Sequence, residues 1–239
     1  MKQSETRLAF SGESLKATFI ETADGYAAIG RAIVFNLGSN PAIIDGEPAQ
    51  SVPPLASTIL YNAVVKTGER LIVVQLPENF VTEGFAGREG WDKYCDLVTD
   101  PSEQLSRTPL YRSAQHHLGH YDFGQHVPAA LQDLVRADER FTVKANLWFS
   151  PAGTDCLIHN SHGFLETHVQ IHGLGRMQKF RSAEHDTLYE EILMAPGQSH
   201  RIFDCQRSSS GTYIYPWHQY YSDTDCIWMA IEFHPASKA

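Results

Sequence analysis

The stretch of sequence that decides the fold runs Gly153-Thr-Asp-Cys-Leu-Ile-His159-Asn-Ser-His162-Gly-Phe-Leu-Glu166-Thr-His168-Val-Gln170-Ile-His172-Gly173. From residue 165 to residue 172 apolar and polar side chains alternate, and this period of two is typical of a β-strand. The alternation puts every ionisable or amide side chain on one face: Glu166, His168, Gln170 and His172. The other face is mostly apolar, with Leu165, Thr167, Val169 and Ile171.

A strand face made of histidine, glutamate and glutamine needs a polar or charged partner when it is buried. Such groups cost free energy in an interior unless they are hydrogen-bonded, paired or bound to an ion. Imidazoles and a carboxylate together suit a divalent cation, and we expect His159 and His162, in the preceding turn, to reach the same interior. A single strand histidine is more often an ordinary polar residue. Four histidines and a glutamate within fourteen residues favour a metal site.

This stretch resembles the first motif of the cupin superfamily, G-x5-H-x-H-x3,4-E-x6-G. The residues that match are Gly153, His162 as the second histidine, Glu166 and Gly173. The first histidine of the motif falls on Asn160. Two alternatives stay open: His159 takes its place through a one-residue shift in the turn, or His168 supplies the ligand from the strand.

The second cupin motif, G-x5-P-x-G-x2-H-x3-N, supplies the last histidine, and two placements compete. Pro196-Gly197-Gln198-Ser199-His200 offers the local G-x2-H match, whereas Tyr215-Pro216-Trp217-His218 lies on the hairpin that closes the barrel. We favour His218, because a ligand at His200 leaves an extra strand unexplained. His200 then becomes a residue of the pocket.

The rest of the chain predicts a mainly β protein. Short segments rich in β-branched and aromatic residues follow Phe141, with glycine, proline, serine or aspartate between most of them. The resemblance implies a cupin-like antiparallel β-barrel (a double-stranded β-helix, or jelly roll) over residues 141–239. Residues 1–140 are predicted to be a β-rich and partly helical portion that packs on it. Its predicted elements are strands at 15–21 and 28–36, a hairpin of 57–65 and 70–75 closed at Thr67-Gly68, and helices at 87–97 and 127–138.

Composition excludes several classes of protein. The formal net charge of −9 over 239 residues disfavours a nucleic-acid partner. The four cysteines form no CxxC pair, which disfavours a thiolate zinc site. With no apolar leader and no membrane-spanning run, we expect a soluble cytoplasmic protein without a membrane partner.

These observations predict a metal-dependent enzyme. Three histidines and a glutamate leave open positions on an octahedral ion, and they suit Fe(II) best, with Mn, Ni, Cu or Zn as alternatives. The first hypothesis is a non-haem iron oxygenase or oxidase acting on a small polar metabolite; a redox-neutral lyase or isomerase and a non-catalytic small-molecule-binding cupin are the alternatives. The resemblance also implies a homodimer. The predicted ligands are His162, Glu166, His218 and either His159 or His168, with Gln170, His200 and Tyr220 as candidates for substrate orientation or proton transfer.

Overall fold

The computed structural model describes residues 3–87, 90–123, 131, 132, 134, 135 and 139–236. Within these residues all paired strands run antiparallel. The strands before residue 140 are β1 Ser4–Arg7, β2 Lys16–Asn36, β3 Ala42–Ile44, β4 Gln50–Val52, β5 Ser57–Gln75, β6 Trp91–Lys93, β7 Tyr111–Ser113 and β8 His116–Asp122. Those after it are β9 Arg140–Ser150, β10 His159–His162, β11 Leu165–His172, β12 Gly175–Phe180, β13 Leu188–Met194, β14 Gln206–Arg207, β15 Tyr213–Ser222 and β16 Cys226–Pro235.

The first five strands form one sheet in the order β1-β2-β5-β3-β4. The predicted hairpin at Thr67-Gly68 is wrong, because β5 runs straight through both residues. Thr67 and Gly68 pair with Asp24 and Ala23 of β2, and Thr67 also pairs with Ile43 of β3. A Thr-Gly dipeptide favours a turn only locally, and here strands on both sides hold it extended. For the same reason the two predicted strands at 15–21 and 28–36 belong to one long strand, β2.

Among the described residues of the connection between this sheet and the barrel, helix is limited to short turns and one α-helix. The predicted helix at 87–97 is wrong: 3-10 turns at Phe85–Gly87 and Tyr94–Leu97 flank β6, which pairs with β7 at the sheet edge. One short helix, α1 (Glu103–Arg107), begins where the Ser102 hydroxyl accepts a hydrogen bond from the Leu105 backbone N–H. The other predicted helix, at 127–138, lies largely outside the described residues. None of the helices in the described ranges is long and apolar enough to span a membrane.

The strands from β9 onward form a cupin-like β-barrel of two facing sheets. One sheet has the order β10-β15-β12-β13 and the other has β11-β16-β9-β7-β6. Residues 197–200 lie beside β11. There the Gly197 N–H donates a hydrogen bond to the Gln170 carbonyl, and the Gln170 N–H donates one to the Gln198 carbonyl. Two facing antiparallel sheets of this kind, with β14 also paired to β15 and β8 to β9, form a jelly roll. Because β6, β7 and β8 join the second sheet, residues before 140 contribute to it, and the predicted domain division at 140 stays a prediction.

Strand β11 has the predicted bounds, and its two faces differ as the alternation indicates. Both faces are buried. Leu165, Val169 and Ile171 belong to the main apolar core together with residues of the N-terminal sheet such as Phe35 and Ile72. These apolar side chains are buried in that shared core, whereas Glu166 and His168, on the other face of β11, line the cavity inside the barrel.

Candidate metal centre

Four side chains bring their donor atoms together inside the barrel. One ligand atom from each of His159, His162, Glu166 and His218 lies within 4.8 Å of the others. The Nε2 atom of His162 is 3.0 Å from that of His159 and 3.4 Å from that of His218. Glu166 Oε1 lies 3.1 Å from His162 Nε2 and 3.8 Å from His218 Nε2. The structure thus groups His159, one of the two alternatives for the first ligand, with the other three.

The cluster takes donors from both sheets, and a β-bulge makes this arrangement possible. His159 and His162 come from β10, His218 stands opposite His159 on β15, and Glu166 comes from β11. Residues three apart on a regular strand point to opposite faces. The pairing of β10 with β15 shifts register between His159 and Ser161, and such a bulge re-aims a side chain. Both histidines of β10 can therefore face the interior, although Asn160 occupies the motif position.

Backbone carbonyls orient two of the imidazoles. His159 Nδ1 lies 2.9 Å from the carbonyl oxygen of Leu157, and His218 Nδ1 lies 2.8 Å from that of Pro216. A carbonyl only accepts, so each Nδ1 carries the proton and each Nε2 directs a lone pair at the cluster. Metal-binding histidines are oriented in the same way.

The separations between donors fit a divalent metal ion. With bonds of about 2.1 Å, neighbouring donors stand roughly 3.0 Å apart in an octahedron and roughly 3.4 Å apart in a tetrahedron. Four of the six donor pairs stand 3.0 to 3.8 Å apart, and all six lie within 4.8 Å. Lone pairs brought this close repel one another unless a cation or a proton lies between them. The distances and the donor types therefore both agree with a metal centre.

The electrostatic environment keeps His159 and Glu166 in the form that binds metal. Burial, with the smaller effect of the neighbouring His218 and His162, lowers the pKa of His159 to about 3. Burial by itself would raise the pKa of Glu166, but His162 and His168 outweigh it and hold that pKa well below its usual range. At neutral pH His159 is therefore neutral and Glu166 is ionised, as ligands must be.

Two further predicted residues, His168 and His200, lie beside the cluster. His168 Nε2 is 3.3 Å from Glu166 Oε2, the carboxylate oxygen that is turned away from His162. His200 Nε2 accepts from the His168 backbone N–H at 3.2 Å, and its Nδ1 donates to the Arg201 carbonyl at 2.7 Å. Both nitrogens of His200 are thus occupied by backbone groups. The geometry suits His168 for orienting Glu166 and His200 for holding residues 197–200 against β11.

Gln170 and Tyr220, predicted as catalytic residues, are bonded to each other. The Tyr220 hydroxyl donates to Gln170 Oε1 at 2.5 Å, and Gln170 Nε2 donates to the His172 carbonyl at 2.7 Å. Tyr220 also stacks on Trp228, with 4.0 Å between ring centroids. Tyr220 lines the cavity beside the metal cluster, whereas Gln170 and His200 are not among the described residues that line it. Catalytic roles for the three stay predictions.

That cavity has a volume of about 320 Å³, and sequence reasoning missed most of its wall. Trp148, Trp228 and Tyr94 form an aromatic side, and Glu232 adds a second carboxylate next to Glu166. One signal was available, since Glu232 is the only acidic residue in the otherwise apolar run of β16. Tyr94 gave none, because its position depends on how the connecting segment folds back on the barrel.

Metal binding should stabilise the folded chain measurably. A metal at about 100 times its dissociation constant should add about 2.7 kcal/mol to the free energy of unfolding, because the unfolded chain has no assembled site. Urea denaturation followed by circular dichroism, with added Fe(II) or Zn(II) and again with excess chelator, measures this difference. The Glu166→Ala variant is the control and should show no such difference. Coincident curves for the native protein would count against a metal centre.

No family model and no curated protein matches this sequence. Among solved structures, the chain is similar to an RmlC-like cupin protein from Desulfovibrio desulfuricans, at 17% identity over 38% of this chain and 71% of the other, with a TM-score of 0.27. A cupin 2 conserved barrel domain protein from Leptotrichia buccalis aligns at 7% identity over 97% of this chain and 89% of the other, with a TM-score of 0.30. A mutant of Bacillus subtilis oxalate decarboxylase aligns at 11% identity over 94% of this chain and 70% of the other, with a TM-score of 0.31.

Two features of the structure itself, the strand order and the donor cluster, define the fold and the site without these alignments. The two sheets have the jelly-roll order, and the donors come from β10 and β15 of one sheet and β11 of the other. The C-terminal part of the chain is a cupin-like β-barrel that carries a three-histidine, one-glutamate site suited to a divalent metal ion.

Proposed function

We propose that the protein is a metal-dependent enzyme that uses dioxygen to oxidise a small metabolite, with Fe(II) held by His159, His162, Glu166 and His218. The observation that carries the proposal is the position of this donor cluster at the wall of a largely apolar cavity. Four protein donors leave coordination positions of an octahedral ion free for substrate and dioxygen. Bound iron would supply the electron transfer that dioxygen chemistry requires, and no amino-acid side chain of the cavity replaces it.

The protein's own residues would hold the metal, position the substrate and exclude water. His168 orients Glu166 by its hydrogen bond to Oε2, so that Oε1 stays directed at the other ligands. The stacked rings of Trp228 and Tyr220 close one side of the cavity. An apolar wall of this kind keeps bulk water from the reacting atoms.

Reconstitution with different metals tests this proposal. Protein loaded with Fe(II) is mixed with a panel of small amines, alcohols and carboxylates, and dioxygen uptake is followed with an oxygen electrode while products are identified by mass spectrometry. We expect uptake with at least one substrate from protein loaded with Fe(II), and none from protein loaded with zinc, because zinc has no redox chemistry. The Glu166→Ala variant should be inactive, and Glu191→Gln, which changes a partly exposed carboxylate on the outside of the barrel, should retain the activity.

The same experiment identifies the redox-neutral alternative. A lyase or isomerase would turn over substrate under nitrogen and with zinc in place of iron. Product formation under either condition would overturn the oxygenase proposal and favour Lewis-acid chemistry at the same four ligands.

A further inference from the structure

The cavity beside the metal centre has a wall of aromatic rings. Trp148 and Trp228 lie nearly parallel, with ring centroids 6.4 Å apart and an interplanar angle of 12°. Tyr94 meets Trp148 edge-on at 4.8 Å, and Tyr220 stacks on Trp228 with ring centroids 4.0 Å apart. All four rings line the cavity. Aromatic faces attract cations through the negative charge density above the ring, and tryptophan does so most strongly.

The charges that line the cavity are negative. Besides the metal ligands, the described lining includes one further carboxylate, that of Glu232, and no lysine or arginine. The guanidinium of Arg112 lies 5.9 Å from the ring centroids of both Tyr94 and Trp148, and it is not among the residues that line the cavity. Lys144 stands opposite Glu232 on β9, yet within the described part of the chain the ion-pair partner of Glu232 is His234.

Glu232 retains hydrogen-bonding capacity toward the cavity. Its side chain is only 7% exposed. Oε2 accepts from Gln115 Nε2 at 3.0 Å and from His234 Nε2 at 2.8 Å. With the Asn146 amide oriented so that its oxygen accepts from the Trp148 indole, its nitrogen donates to Oε1 at 3.0 Å. A carboxylate has about four acceptor positions, so even three donors leave at least one.

The position of Glu232 beside Glu166 makes a cation the best partner for that remaining acceptor. The two glutamates stand directly opposite each other on β11 and β16, on the same face of the sheet, and like charges in this arrangement destabilise a sheet. A metal at the four-residue cluster compensates Glu166. A positively charged ligand group in the cavity would do the same for Glu232.

We propose that this cavity binds an organic cation, a protonated amine on a small aromatic or apolar body, with Glu232 as the counter-charge and the Trp148–Trp228 wall against the apolar part. The volume of about 320 Å³ is at the low end for ligand pockets and suits a small molecule. The assignment narrows the substrate of the proposed enzyme from small polar metabolites in general to amines. Binding of the amine does not depend on the proposed function; only its later oxidation at the metal does.

Three probes of similar shape test the assignment: phenethylamine, the neutral 2-phenylethanol and the anionic 3-phenylpropanoate. Binding to the metal-loaded full chain is measured by calorimetry and by quenching of tryptophan fluorescence. We expect the amine to bind at least about tenfold more tightly than either of the others, because a hydrogen bond to a charged partner is worth that much. Equal affinities for the amine and the alcohol, or tightest binding of the anion, would overturn the proposal.

Substitution of Glu232 tests whether this carboxylate causes the preference for the amine. Glu232→Gln should remove the preference for the amine over the alcohol and leave the affinity for the alcohol unchanged, whereas the matched outer-surface change Glu191→Gln should alter neither. If the metal itself bound the amine nitrogen, Glu232→Gln would leave the preference intact, and that result would refute the role of Glu232. The comparison of probes on the native protein decides the ligand class even if Glu232→Gln fails to fold. Since the readout is binding, absence of dioxygen uptake would refute the proposed function without affecting this assignment.

Discussion

His218→Ala should abolish stoichiometric metal binding, with affinity falling by more than the roughly 10–100-fold that follows loss of a group that only orients a ligand. His218 is 2% exposed, its Nδ1 is fixed by the Pro216 carbonyl, and its Nε2 points at His162 and Glu166. Alanine removes one of four donors and leaves nothing on β15 that replaces it. Elemental analysis after dialysis against Fe(II) or Zn(II), and a competitive chelator titration, measure the loss.

His200→Asn is the informative control for that experiment. Both nitrogens of His200 are engaged by backbone groups outside the donor cluster, so this variant should keep about one metal per chain even if its free energy of unfolding falls. His162→Ala and Glu166→Ala should lose the metal as His218→Ala does. A metal-free His200→Asn together with a metal-loaded His218→Ala would show that the cluster is wrongly assigned.

Gly173→Ala should destabilise the fold by about 2–5 kcal/mol. Gly173 has a φ of +76° in the turn between β11 and β12, where an alanine costs about 1–2 kcal/mol in backbone conformation alone. A Cβ there would also overlap the backbone carbonyl of Asp225 in the neighbouring turn. Overlap with backbone cannot be relieved by a side-chain rotation, and overpacking of this kind usually costs a further 1–3 kcal/mol, so roughly that much is added.

Gly153→Ala separates the two contributions. Gly153 has nearly the same φ, +75°, but nothing lies within 4 Å of a Cβ built there. Its substitution should cost about 1–2 kcal/mol, the conformational part only. Urea denaturation of both variants measures the difference, and equal destabilisation would show that the contact with the turn at Asp225 contributes nothing.

Much of the barrel could be predicted from local pattern, since strand periodicity is a property of the residues themselves. The alternation over 165–172 predicted the bounds of β11. The failures have one physical cause. Thr67-Gly68 and the segment 87–97 favour a turn and a helix locally, but hydrogen bonds from neighbouring strands in the folded sheet outweigh those preferences.

The sequence by itself determined that a barrel strand turns Glu166 and His168 inward beside a histidine-rich turn, because side-chain alternation needs no knowledge of the rest of the fold. Only the tertiary structure decided which histidines meet. The register shift in the pairing of β10 with β15 turns His159 inward next to His162, and the pairing of 197–200 with β11 occupies both nitrogens of His200. Both events depend on hydrogen bonds between segments far apart in the chain, and such pairings leave no signal in the spacing of any one motif.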